Sequence, residues 1–258
     1  MSGLRNLLSR RGFSRAFFPS GYNDGQMFGL IAGAAAVAYA GYATMGPRSQ
    51  LYGRSFLGVS GSKLLALTYD DGPNEAHTPA LLDILAQHGA KATFFLIGRY
   101  VVQRPDIVRR IRQEGHAIGN HTYNHPLLTF ASAARLGREL DDTDKAIADA
   151  AGPHDGLFRP PFGGRRPGTF AAVRARGMTP VMWTVTCFDW NARSADPIER
   201  HAVRGIRGGD IILLHDGSHL KMGADRAPTV EATTRLLRRY QADGYRFVTI
   251  PEMMRAAE

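Results

Sequence analysis

A single cysteine, Cys187, in 258 residues excludes an intramolecular disulfide and any thiolate-rich metal site, and leaves the redox compartment unread. No sequence repeat or low-complexity tract interrupts the chain. Acidic residues are in short supply: 23 Asp and Glu stand against 32 Lys and Arg, mostly Arg, for a formal charge of +9. That balance suits a nucleic acid, an anionic membrane surface or an anionic cell-wall polymer. No helix-turn-helix, zinc finger or basic stripe with interleaved aromatics is present, so no nucleic-acid partner is expected. A basic surface that merely keeps the protein in solution accounts for the charge equally well. What remains is an ordinary globular composition, 44% hydrophobic and 21% charged, which argues against a disordered chain. The length fits one domain of about 200 residues plus an extension.

Charge is missing altogether from 25–47, and a helix over this stretch spans a bilayer core of about 30 Å, which needs roughly 20 residues. Arg5, Arg10, Arg11 and Arg15 precede it, whereas only Arg48 and Arg54 follow closely. The positive-inside bias therefore puts a short basic tail, 1–24, in the cytoplasm and everything after Arg48 outside. Ala38-Tyr39-Ala40 also resembles a signal-peptidase site, and cleavage near Ala40 would release the protein. The long stretch ahead of the apolar core favours an uncleaved anchor. A linker over 48–61 and a folded domain over 62–258 complete the expected organisation.

From about Ser62 onward, short β-rich runs alternate with helical ones. Strands are expected over 63–69, 92–97, 116–120, 157–159, 179–186, 210–214 and 245–250. Helices are expected over 78–88, 105–114, 132–151, 167–176, 197–206 and 229–242, with a closing helix from Pro251. Such alternation implies βαβ units and a parallel sheet. The near-continuous apolar strands are those of a sheet covered on both faces. A compact β/α barrel is the expected architecture, and a doubly wound open sheet is the alternative.

The unusual polar residues fall at strand ends. Asp70-Asp71-Gly72-Pro73 follows the first strand, His121-Thr-Tyr-Asn-His125 the third, and Arg159-Pro160-Pro161-Phe162-Gly163 the fourth. Asp189-Trp190 follows the fifth and His215-Asp216 the sixth. In β/α barrels and open α/β sheets alike, active sites assemble at this end. Singly, each motif has an ordinary explanation: Asp-Gly-Pro is turn chemistry, and His215 alone reads as a core histidine. His-x-x-x-His places two imidazoles on one face of a helical turn at good spacing for a divalent ion, although Pro126 limits how helical that turn can be. Together, one carboxylate and two imidazoles give three O and N ligands with open positions, as a catalytic metal site needs. A second carboxylate can take a proton from water, a histidine from another strand can give one to a departing amine, and an arginine can hold the base ionised. His77, His88, His116, His154, His201 and His219 have no such company and read as ordinary histidines.

In this order, TYDDGP, HTYNH, RPPFG, FDW and LLHD resemble the five motifs of the NodB-type polysaccharide deacetylases (carbohydrate esterase family 4), over about Lys63 to Ile250. The resemblance implies a distorted seven-stranded (β/α) barrel and metal-dependent removal of acetyl groups from an N-acetylated polysaccharide such as peptidoglycan, a chitin-like oligomer or a related glycan. It implies Asp70 as general base, oriented by Arg159, and His215 as general acid. Asp71, His121 and His125 become ligands of a divalent metal, with Zn2+ the default and Co2+, Ni2+ or Mn2+ the other candidates. The backbone N–H of Phe162 becomes an oxyanion donor, and Trp190 and Leu213 line the space for the acetyl methyl. One position departs from the pattern: Thr186 stands where the fourth motif usually carries the aspartate that supports the catalytic histidine. The expectation is therefore a less elevated pKa for His215, with Asp189 or Asp216 as substitutes for the missing support. Two other readings keep the scaffold: an amidase acting on a small or cyclic amide, and a non-catalytic carbohydrate-binding relative.

Overall fold

The structure, a computed structural model, describes residues 24–258, so the expected basic tail lies outside the described residues except for Asp24. The chain divides into two units, Met1–Tyr42 and Ala43–Glu258. The described part of the first is helix α1 (Asp24–Met45), which runs three residues into the second. Its Gly25–Met45 stretch is long and apolar enough to cross a membrane by length and composition. Phe28, Val37 and Tyr39 are exposed along it.

The second unit is a curled parallel sheet wrapped by helices. Its strands are β1 (Leu64–Gly72), β2 (Ala92–Leu96), β3 (Ala117–Asn120), β4 (Leu157–Phe158), β5 (Thr179–Pro180), β6 (Val185–Thr186), β7 (Ile211–His215) and β8 (Arg246–Phe247). The helices are α2 (His77–Gln87), α3 (Gly98–Gln103), α4 (Pro105–Gln113), α5 (Ala133–Ala151), α6 (Thr169–Arg174), α7 (Ala195–Gly205), α8 (Ala227–Ala242) and α9 (Ile250–Arg255). Strand order is β5-β4-β3-β2-β1-β7-β6, with β8 also on β1, and every pairing is parallel.

The run expected as one strand over 179–186 is split. Pro180 has no N–H to continue a ladder, and the run changes neighbours: β5 pairs with β4, β6 with β7. Both edges of the curled sheet thus belong to one stretch of chain, which closes the distorted barrel covalently rather than by hydrogen bonds.

Alternation along the strands sorts side chains into two cores. On β1, Leu65, Leu67 and Tyr69 join the cluster shared with α2, α4 and α8, while Ala66 joins the interior cluster on the face it shares with Thr68 and Asp70. On β7, Ile211 and Leu213 are interior, so period 2 puts His215 on the same face. Helix signals agree with the expected boundaries: Ser132 accepts from Arg135 N–H at the start of α5, and Thr249 with Glu252 forms a capping box on α9.

The 48–61 stretch, expected as a linker, is instead packed into the second unit. Phe56 bridges Val181, Val59 and Gly61 donate to Gly209 and Gly208 carbonyls, and Phe56, Leu57 and Val59 pack against the interior cluster. The unit begins at Ala43 rather than 62. A fully buried Arg165 donates to the carbonyls of Gly46 and Ser49 at 2.6 and 2.9 Å and to that of Gly163 at 2.8 Å. This joins the start of the unit to the loop after β4.

Candidate active site

Register brings the site together. Asp70 on β1 is the cross-strand partner of His215 on β7, and both face the interior at the C-terminal ends of their strands. Asp71 would point outward by alternation, but its backbone turns to φ +73, and its carboxylate enters the same pocket. Thr122, His125, Phe162 and Phe188 also have positive φ. Each such residue costs on the order of 1–3 kcal/mol, and such strain gathers at functional sites. All five lie at strand ends or in the loops that follow them, where the motifs cluster.

Asp71, His121 and His125 present donor atoms within 4.8 Å of one another, all buried. Asp71 Oδ1 is 3.1 Å from His125 Nε2 and 3.6 Å from His121 Nε2, yet it accepts no hydrogen bond. An orphaned buried carboxylate oxygen facing two imidazole nitrogens suits a shared cation. The tautomer of His121 agrees: its Nδ1 lies 2.8 Å from the Arg159 carbonyl, which can only accept, so Nε2 carries the lone pair that faces the site. Burial disfavours the Asp71 carboxylate, but His121, His125 and His219 outweigh it and hold its pKa well below the ordinary value. Burial lowers the pKa of His125 despite the opposing pull of Asp71, which favours the neutral, ligating form. The two histidines do not share a helical turn as their spacing suggested. They lie in an irregular loop, bent by positive φ at Thr122 and His125, and Pro126 follows at once.

Asp70 Oδ1 accepts from Arg159 Nη1 at 2.8 Å, while Oδ2 lies 3.7 Å from His121 Nε2. Arg159 is fully buried. The same Nη1 donates to Thr68 Oγ1 at 2.8 Å, and the guanidinium lies over the Phe95 ring at 4.1 Å. Its orientation, and with it that of Asp70, is fixed from several sides.

His215 has a carboxylate partner after all. Its Nδ1 donates to Asp189 Oδ1 at 2.8 Å, and Asp189 Oδ2 accepts from the His215 main-chain N–H at 2.7 Å and from Thr229 Oγ1 at 2.9 Å. Burial alone would lower the pKa of His215, but Asp189, then Asp71 and Asp70, raise it to about 9. The expectation of a less elevated pKa is therefore corrected. Phe188, at φ +54, turns the chain so that Asp189 is the residue delivered to His215. Thr186 instead accepts from Trp183 Nε1 at 2.8 Å. Asp216 faces the other way, onto Thr78 Oγ1, and burial lifts its pKa to about 7.

A cavity of about 350 Å³ is lined by Asp70, Asp71, His121, His125 and His215 together with Phe162, Trp190 and Leu213. Trp190 stands edge-on to His215 at 5.3 Å. Every site residue expected from the sequence lines this cavity except Arg159, Asp189, Thr186 and Asp216. Asn191, Ser218, Leu220 and Arg226 also line it without having been expected, and two further residues were missed. Trp183, hidden in an apolar run, forms part of the wall. His219 stacks on His125 at 4.6 Å and 18° and donates its main-chain N–H to Asp71 Oδ2 at 3.2 Å.

Comparisons with known proteins point to one family. Residues 58–181 match a family model described as polysaccharide deacetylase. A peptidoglycan-N-acetylglucosamine deacetylase of Bacillus cereus is 38% identical over 195 residues, covering 75% of this chain and 89% of that protein. A chitooligosaccharide deacetylase of a Bradyrhizobium species is 35% identical, covering 78% and 94%. The crystal structure of the peptidoglycan N-acetylglucosamine deacetylase Bc1960 superposes with a TM-score of 0.72 at 34% identity, covering 77% of this chain and 91% of that one.

Proposed function

The chain belongs to the polysaccharide deacetylase family, and from that membership we propose that it hydrolyses the acetamides of an N-acetylglucosamine polymer of the cell envelope, peptidoglycan foremost, in a metal-dependent reaction. The observation that carries this reading is the convergence on one cavity of Asp71, His121 and His125, the Asp70–Arg159 pair and the His215–Asp189 pair.

Asp71, His121 and His125 would hold a divalent cation, with zinc first by donor set and cobalt, nickel or manganese also admitted. Such an ion supplies Lewis acidity toward the acetamide oxygen. Asp70, kept in place by Arg159, takes a proton from the water that attacks the acetyl carbon. The main-chain N–H of Phe162 donates to the oxygen that becomes negative as the carbon turns tetrahedral, a contribution of several kcal/mol at comparable sites. Leu213 and Trp190 enclose the methyl group and keep bulk water from it. His215, held as the imidazolium by Asp189, donates Nδ1–H to that carboxylate and presents Nε2–H, which protonates the nitrogen as the C–N bond breaks. Acetate and a free glucosamine amine result.

Location supports an envelope substrate. The apolar helix over Gly25–Met45 with arginines ahead of it suits an anchor with the catalytic unit outside, or a secreted protein if it is cleaved near Ala40. The positive charge suits an anionic wall polymer.

The test is acetate release from purified peptidoglycan, chitooligosaccharides and acetylxylan, with Asp70→Asn as the blank. Release from the N-acetylated substrates, highest on peptidoglycan and absent in the variant, is expected. Release confined to acetylxylan, or equal in the variant, overturns the reading.

A further inference from the structure

Asp71 has two oxygens in different circumstances. Oδ1 is buried, unbonded and turned toward the imidazoles of His121 and His125. Oδ2 is turned toward one residue, His219, whose main-chain N–H lies 3.2 Å away and whose ring Nδ1 lies 3.7 Å away. The torsion that swaps two carboxylate oxygens is soft, so something must decide which of them faces the histidines.

The loop bearing His219 is built to hold that position. Gly217 packs so closely on β1 that a Cβ there would meet the Asp71 carbonyl oxygen at 2.1 Å. From α3, Tyr100 donates its hydroxyl to the Ser218 carbonyl at 3.0 Å, and Arg99 donates to that of His219. The ring lies flat on His125, which aims Nδ1 along the Asp71 carboxylate. Its side chain is still 33% exposed, so burial of the ring is not what fixes it.

We infer that His219 is a positioning residue of the metal centre: its main-chain N–H holds Oδ2 of Asp71, its imidazole Nδ1 faces the same oxygen, and Oδ1 is left to the cation. The inference rests on the metal-binding reading of Asp71, His121 and His125. Hydrogen-bond partners behind metal ligands are worth about 10–100-fold in metal affinity. Any residue but proline keeps the main-chain donor, so the ring's share belongs at the lower end of that range.

The measurement is zinc affinity of the full-length chain in detergent, read by competition with a chromogenic chelator, beside thermal melts that verify folding. Asparagine can place an amide N–H near the position of Nδ1 without a ring, whereas phenylalanine keeps the ring without the donor. His219→Ala and His219→Phe are expected to bind zinc about tenfold more weakly, and His219→Asn within a few-fold of the parent. Equal affinity in all three variants overturns the inference, because the main-chain amide then suffices. Rescue by phenylalanine and not by asparagine also overturns it, leaving the ring as a cover for His125. A parent protein that binds no zinc overturns the metal-binding reading itself, a distinct outcome.

Discussion

Asp70→Asn lowers acetate release about 10²–10⁴-fold, the range associated with loss of a positioned general base, while zinc affinity stays within a few-fold. Asparagine is nearly isosteric and its carbonyl oxygen can still accept from Arg159 Nη1, now 2.8 Å from Asp70 Oδ1. What it lacks is the capacity to take a proton. The fully buried guanidinium also loses its counter-charge, a cost of about 1–3 kcal/mol. Asp70→Ala removes the acceptor as well and should cost about 3–5 kcal/mol, as breaking buried pairs does. In a domain of this size each kcal/mol lowers Tm by about 2–4 °C. The two variants should therefore be equally inactive but melt at different temperatures. A turnover within tenfold of the parent in Asp70→Asn, with the protein folded, contradicts the role assigned to this carboxylate.

The second large effect is expected at Asp189. Replaced by asparagine, it no longer answers the charge on His215 and can favour the wrong imidazole tautomer, so acetate release should fall about 10²–10⁴-fold. The pH profile is the more specific readout. In the metal-free site burial works against the imidazolium, and Asp189 followed by Asp71 and Asp70 reverses that to give a pKa of about 9 against the ordinary 6.5. A bound cation answers the charge of Asp71 and Asp70 but leaves the hydrogen bond from His215 Nδ1 to Asp189 in place. The alkaline limb of kcat/KM should then lie above 6.5 and below about 9, and move down in Asp189→Asn.

Stability follows the same sign. A histidine whose folded pKa exceeds its unfolded one stabilises the fold fully below about 6.5 and loses that contribution as pH rises through about 9. Metal-free parent protein should lose stability across that window, and the variant should lose much less. Thr186→Val is the contrast: it removes the acceptor of Trp183 Nε1, costs about 1 kcal/mol and leaves the alkaline limb in place. A limb that moves with Thr186 and not with Asp189 reverses the assignment.

What could be read in the sequence, and what could not, divides along physical lines. Asp70, His215 and Leu213 were legible because a strand has period 2 and an active-site end, so position alone fixes direction. Asp71, His121, His125 and Arg159 were legible by their motifs, although the backbone that aims them, at φ +73 for Asp71 and +58 for His125, was not. The helical turn expected for the two histidines failed because their spacing carries no record of a positive φ. Which carboxylate stands in for the one missing at Thr186 was open between Asp189 and Asp216 for the same reason: the left-handed turn at Phe188 that delivers Asp189 leaves no mark in the sequence. His219 carried no periodic or motif signal, and it reaches Asp71 only because Gly217, Tyr100 and Arg99 fold its loop back onto β1. The 48–61 stretch looked like a connector by its position, yet Phe56, Leu57 and Val59 bury against the interior cluster and make it part of the domain.

Metal removal tests the proposed chemistry most directly. Full-length protein stripped with chelator, its metal content verified by elemental analysis, is assayed for acetate release from peptidoglycan before and after zinc is returned. The stripped protein should release acetate at the background rate, and recovery should saturate near one equivalent of zinc per chain, with none in Asp71→Ala. Metal-free protein that releases acetate at the untreated rate would contradict a hydrolase built on Asp71, His121 and His125.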